Sequence, residues 1–148
     1  MESLDERATA VRLYHQCWEL LETEPRTSDE DAELLTCAFA ARHHWLNAGG
    51  PEQWTISDWM VSRAAGAIGA SGLALWFAER AHDAARVEGT ADWLVASTAE
   101  GQARAHFLAG DLDEGSRWEA EASRLVAVIV DEEERALIAA QLATVRTV

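Results

Sequence analysis

The stretch Ala103–Leu125, ARAHFLAGDLDEGSRWEAEASRL, decides the fold. Alanine, leucine, glutamate and arginine, all strong helix formers, fill both of its halves, and Gly110 divides them. A glycine at such a point closes a helix in the left-handed conformation. Asp111, three residues before Glu114, supplies the side-chain acceptor that opens the next helix. Two helices joined by so short a turn fold back on one another as an antiparallel pair.

The same punctuation extends outward. Gly49, Gly69, Gly89 and Gly110 stand 20, 20 and 21 residues apart, and Asp131 follows after another 21. Pro25 and Pro51 are the only prolines and both fall at breaks, Pro51 where a first helical turn tolerates it. Ser3 with Glu6, Ser28 with Asp31 and Asp131 with Glu134 repeat the capping pattern, and Ser71 is a plainer cap. Seven helices are predicted, roughly 3–22, 29–48, 51–68, 71–88, 91–109, 111–129 and 131–146. Leu13, Cys17, Leu20 and Leu21, then Leu35, Phe39 and His43, then Leu73, Phe77, Ala81 and Ala84 recur at helical steps. The apolar run Leu125–Val130 has no partner of strand composition and reads as the end of a packed helix. The fold class is all-α, and 148 residues suffice for one domain.

The hairpin repeats. Aligning Gly69 with Gly110 superposes Arg63 on Arg104, Ala74 on Gly115, Phe77 on Trp118 and Ala81 on Ala122. Small residues recur where helices cross closely, with a bulky aromatic between them. With its Gly110-Asp111 turn, small Gly115 and Ala122 and intervening Trp118, the segment resembles the core of a tetratricopeptide repeat (TPR). Arg63–His82 is a weaker copy, and the first hairpin shows only Ala32 and Phe39 in register. The resemblance covers about half of the chain. It implies antiparallel hairpins, about 3–48, 51–89 and 91–129, stacked as a TPR-like right-handed superhelix and closed by a capping helix at 131–146. The motif's period is about 34 residues, whereas the glycine frame gives 40 to 41. Asp58-Trp59 and Asp92-Trp93 do recur at 34, but only the glycine frame accounts for all the breaks.

Charge excludes several functions. Twelve arginines, no lysine and 26 acids leave a formal charge of −14, which disfavours a phosphate-tracking nucleic-acid surface and anionic membranes. The longest charge-free stretch, Ala64–Ala78, is 15 residues and contains three glycines, too short and too broken to span a bilayer. Acidic Glu2, Asp5 and Glu6 at the start are unlike a secretory signal, and a cytoplasmic location is expected. Cys17 and Cys37 form no ligand motif and read as two reduced, helix-borne thiols.

Nucleophile elbows and phosphate-cradling loops are missing, and without lysine there is no Schiff-base chemistry. No enzyme and no cofactor is predicted. The resemblance implies a concave face carrying Trp59, Arg63 and Gly66 from the third helix and Ser97, Glu100, Arg104 and Phe107 from the fifth. Arg63 and Arg104, one repeat apart, suit a carboxylate or an acidic peptide, so the expected ligand is a protein or peptide partner. The competing reading is that both pair with nearby acids. Trp76, Trp93 and Trp118 read as packing between helices. Trp45, Trp54 and Trp59 flank the Gly49-Gly50-Pro51 turn as core or as a binding platform. Two alternatives stand beside this: a helical-bundle metalloenzyme or metal-binding protein using His15, His82, His106 and Glu79, and a homo-oligomeric assembly module, most simply a homodimer.

Overall fold

The computed structural model describes residues 5–147, which form seven α-helices: α1 (Glu6–Glu22), α2 (Ser28–Ala48), α3 (Pro51–Ala67), α4 (Ser71–Ala85), α5 (Asp92–Leu108), α6 (Leu112–Ala127) and α7 (Glu132–Leu142). Most starts have a local cause. Asp5 caps α1 by accepting from the Ala8 amide; the Ser3 cap predicted there lies outside the described residues. For α2 the cap is Thr27, not Ser28. Its hydroxyl accepts from the Glu30 N–H while the Glu30 carboxylate accepts from the Thr27 N–H, and this reciprocal pair satisfies two helix-end donors at once. Asp111 and Asp131 accept from the Glu114 and Glu134 amides as the sequence predicts. At α4 the predicted cap shifts: Ala70 is the capping residue and Ser71 already lies in the helix.

The glycine punctuation resolves into three kinds. Gly69 and Gly110, at φ +81° and +84°, close α3 and α5 in the left-handed region. The next amides, Ala70 and Asp111, bond back to the Ala65 and His106 carbonyls. Gly89 (φ +90°) instead sits in a separate turn closed by the Thr90 N–H on the Val87 carbonyl. That turn ends α4 at Ala85, three residues earlier than predicted. Gly49 is extended, and its role is close approach: an added Cβ would lie 2.8 Å from Gln53 Cβ and 3.0 Å from the Trp45 ring. α7 also stops early, at Leu142, and Ala143–Arg146 continue as turns.

Neighbouring helices pack as the hairpins α1/α2, α3/α4 and α5/α6, with α7 against α5 and α6. Each odd-numbered helix also packs against the next odd one, whereas even-numbered helices meet one another only through long side chains, as Phe39 with Phe77 and His82 with Trp118. The odd helices are thus an inner row bearing the middle of the protein. α3 and α5 begin 41 residues apart, as do α4 and α6, so the spacing follows the glycine frame and not the 34-residue one.

The small residues of the repeat are buried at crossings. Ala81 and Ala122 have no exposure, Ala74 has 1%, and Gly115 admits the Phe107 ring. The principal core joins Cys17, Leu34, Cys37, Trp59, Met60, Val61 and Phe77 across the first four helices. Burial pushes the Cys17 and Cys37 thiols up to about 12 and about 11, which leaves both protonated and unreactive. Of the tryptophans expected between helices, Trp118 packs near Phe107 and Trp93 near Ile138, but Trp76 is 58% exposed. Its neighbour Phe77 takes the interior position of that turn, and the buried stripe of α4, which runs through Ala74, Phe77, Ala78, Ala81 and Ala85, leaves Trp76 outside it.

Gly115 offers a clean check of the packing. A methyl group there would come within 2.5 Å of Phe107, whose ring is itself enclosed with Ala103 and Val145. Gly115→Ala is expected to cost about 1–3 kcal/mol in urea denaturation. Gly72→Ala, which meets nothing within 4 Å, should instead be neutral or stabilising by up to about 1 kcal/mol.

Candidate functional site

Three of the sequence-predicted site residues, Trp59, Arg63 and Arg104, meet around the carboxylate of a fourth, Glu100. Glu100, in the middle of α5 and without solvent exposure, accepts from Trp59 Nε1 at 3.3 Å and from Arg104 Nε and Nη2 at 2.9 and 2.7 Å. Arg63 Nη1 lies 3.5 Å away. The arrangement follows from local structure. Arg104 stands one helical turn from Glu100 on the same face, and Gly101 beside it leaves room for Trp59, whose Cδ1 would be 3.1 Å from a Cβ there. An ionised carboxylate in such a place is tolerated only when paired and hydrogen-bonded. Burial, with Arg104 adding to it and Glu100 opposing, pulls Arg63 down to about 10, so it is still charged at neutral pH.

Arg104 also reaches α7. Its Nη2 donates to the Gln141 carbonyl at 2.9 Å and to Thr144 Oγ1 at 2.7 Å, and its Nη1 to the Thr144 carbonyl at 3.3 Å. A guanidinium thereby satisfies carbonyls at a helix C-terminus, where a cation is favoured. Arg26, in the turn after α1, does the same for two helices. It donates to the Leu20, Leu21 and Thr23 carbonyls and, across the fold, to Ala67 of α3 at 3.1 Å.

Where α1, α3, α5 and α7 end, these side chains frame a cleft of about 430 Å³. Leu21, Leu108 and Val145 supply apolar wall, Arg26, Arg63 and Arg104 the charge, and Glu24 and Thr147 also line it. Beneath it a cavity of about 10 Å³ between Trp59, Ser62, Arg63 and Glu100 has room for about one water. Of the three arginines, Arg26 and Arg104 are fully engaged with acceptors, whereas Arg63 Nη1 is sealed from solvent with no hydrogen-bond partner.

The remaining predicted residues lie elsewhere. Ser97 is buried within α5, and Phe107 packs with Ala103 and Val145 beneath the Arg146 guanidinium, 4.5 Å from its ring centroid. His15, His82 and His106 are not brought together. His15 is on an open groove of α1, His82 contacts Thr98 Oγ1 at 3.1 Å and the edge of Trp118, and His106 faces Asp111 at 4.0 Å. Glu79 is exposed. Among the described residues no three His, Cys, Asp or Glu side chains are grouped to hold a metal ion. Arg26 was not anticipated, because apart from the Asp31 carboxylate at 2.8 Å its acceptors are backbone carbonyls, which leave no trace in side-chain periodicity.

Comparison of the chain with protein-family models, with curated proteins and with solved structures finds no match. Among the described residues no helix is long and apolar enough to cross a membrane.

Two outcomes test this account. Glu100→Gln removes the counter-charge of two guanidiniums and is expected to lower unfolding free energy by about 3–5 kcal/mol. Arg104→Met should chiefly release α7, seen as faster amide exchange over 132–142 with α1–α4 unchanged. His82 supplies a pH test. Burial, with Arg86 adding to it, holds its imidazole below the ordinary 6.5 despite Asp83 and Glu121. The folded state therefore binds fewer protons than the unfolded state, and the contribution of His82 to stability, present above pH 6.5, is lost as pH falls through the lowered value. His82→Asn should show a smaller stability loss between pH 7 and pH 5 than the parent chain.

Proposed function

We propose that this chain is a TPR-like helical-repeat module that binds, without catalysis, a peptide segment of a partner protein in the cleft where the odd-numbered helices end. The observation that carries the reading is Arg63, whose side chain is 20% exposed and lines an open, half-apolar cleft while its inner Nη1 stays 3.5 Å from Glu100, in a chain of net charge −14. The part of the guanidinium that borders the cleft suits a ligand carboxylate, which it would hold by a charge-assisted bond. The cleft volume lies within the range of ligand sites, which are about 300–1,000 Å³. Trp59, Glu100 and Arg104 form the frame that holds Arg63 in place. Ser97 and Phe107 sit in the packed layer behind it.

Reversing Arg63 and Arg104 to glutamate is not a usable test, since it would crowd two more carboxylates against buried Glu100. Ala67 is exposed, lines the cleft and touches none of this network through its side chain. Ala67→Trp is therefore expected to fill the cleft while leaving thermal stability within about 0.5 kcal/mol. In peptide display, the parent chain should enrich sequences with a carboxylate at one conserved position, and Ala67→Trp should lose them at least tenfold. Enrichment of the same peptides by both proteins would remove the cleft from the account, and no enrichment by either would remove peptide binding.

A further inference from the structure

We infer a second binding site, for a small organic cation with an apolar body, at the opposite ends of α3 and α5. A pocket of about 570 Å³ opens there between the start of α3 and the turn Val87–Ala91. Its position and chemistry are independent of the arginine cleft. The wall is apolar: Trp54, Val87 and Leu94 line it, the first two 40% and 67% exposed. Trp54 is held in place, because its Nε1 donates to the Trp45 carbonyl at 2.9 Å across the α2–α3 turn. A fixed indole presents its face without losing side-chain freedom on binding, and tryptophan is the best ring for a cation.

The charges at the pocket select the sign of the ligand. Arg80 is its one lining cation; its side chain is 46% exposed, and it lies 3.5 Å from Asp58 and 5.8 Å from the Phe77 ring centroid. Asp58 also takes Arg42 at 2.6 Å. Glu52 and Glu88 remain as exposed lining carboxylates, and neither makes an ion pair among the described residues. An anion would meet two carboxylates that make no ion pair, one of them in the first turn of α3, where the helix N-terminus favours negative charge, and a chain of net charge −14. A cation gains from both carboxylates and from the indole, while its apolar body covers Trp54 and Val87. Because the carboxylates are exposed, that attraction is screened by salt.

The test is isothermal titration with three probes that share a phenylbutyl body: 4-phenylbutylamine, 4-phenylbutanol and 5-phenylpentanoate. The amine is expected to bind tightest, and to weaken at least fivefold on raising salt from 20 mM to 500 mM. Glu52→Gln with Glu88→Gln should weaken it about tenfold, and Trp54→Leu by a similar factor. Glu132→Gln with Glu133→Gln removes the same net charge at the start of α7 and should leave the affinity within twofold. Equal or tighter binding of the alcohol or the carboxylate would overturn the assignment. So would an unaltered amine affinity in the Glu52/Glu88 variant, an equal loss in the Glu132/Glu133 control, or no binding of any probe at 5 mM. Glu52 and Glu88 are solvent-exposed and unpaired, so their variant keeps its fold, and circular dichroism checks that it does.

Discussion

A carboxylate stripped of water in the middle of a helix constrains everything packed against that helix. Glu100 is compensated from two directions: Arg104 from its own helix, and Trp59 and Arg63 from α3. The same Arg104 fork then binds the carbonyls that end α7. The relative placement of α3, α5 and α7 is therefore set by one electrostatic knot, in addition to apolar contact. Such networks act as a unit, so deleting one member leaves the others buried without partners and the losses do not add. The cleft inherits this rigidity, because its central arginine is positioned by the group that also fixes its walls.

The repeat explains why the two arginines converge. Arg63 and Arg104 hold equivalent positions in successive hairpins, on adjacent members of the inner row of helices. Equivalent positions in stacked units lie side by side, so a single acid placed between them serves both. This merges the two readings of the pair that the sequence left open. The arginines are ion-paired, and one of them, Arg63, also lines open space.

What could be read in advance was local. Gly–Asp turns, capping acceptors and small residues at helix crossings act over a few residues, and they fixed the helix count, the hairpin pairing and the 41-residue spacing. Misplacements came where a competing local signal was close by, as Thr27 beside Ser28, or where no stop signal exists, as at Leu142, where turns take over without a glycine. Tertiary facts were harder. Nothing in periodicity marks Glu100 as buried, since an acid on a helix ordinarily faces water and its second arginine stands 37 positions away. Trp76 failed in the opposite sense: a large aromatic adjacent to Phe77 looks like core until the helix phase assigns the interior to its neighbour.

The helix ends also divide the protein electrically. At one end of the inner row, carbonyls of α1, α3 and α7 are bound by Arg26 and Arg104, so a quarter of the twelve arginines, counting Arg63, gather where helix dipoles are negative. At the other end, Glu52 and Glu88 line a pocket with the Trp54 indole, and its one arginine, Arg80, pairs with Asp58. Salt at physiological strength limits the reach of exposed charge to about 8 Å. Each pole thus presents its own sign to a ligand already in contact, whatever the net charge of the chain. The far field remains negative and slows the approach of an anion even toward the arginine cleft. Raising salt would therefore speed encounter at the cleft while weakening contact within it, and the opposite poles are distinguished by whether those two effects oppose or reinforce each other.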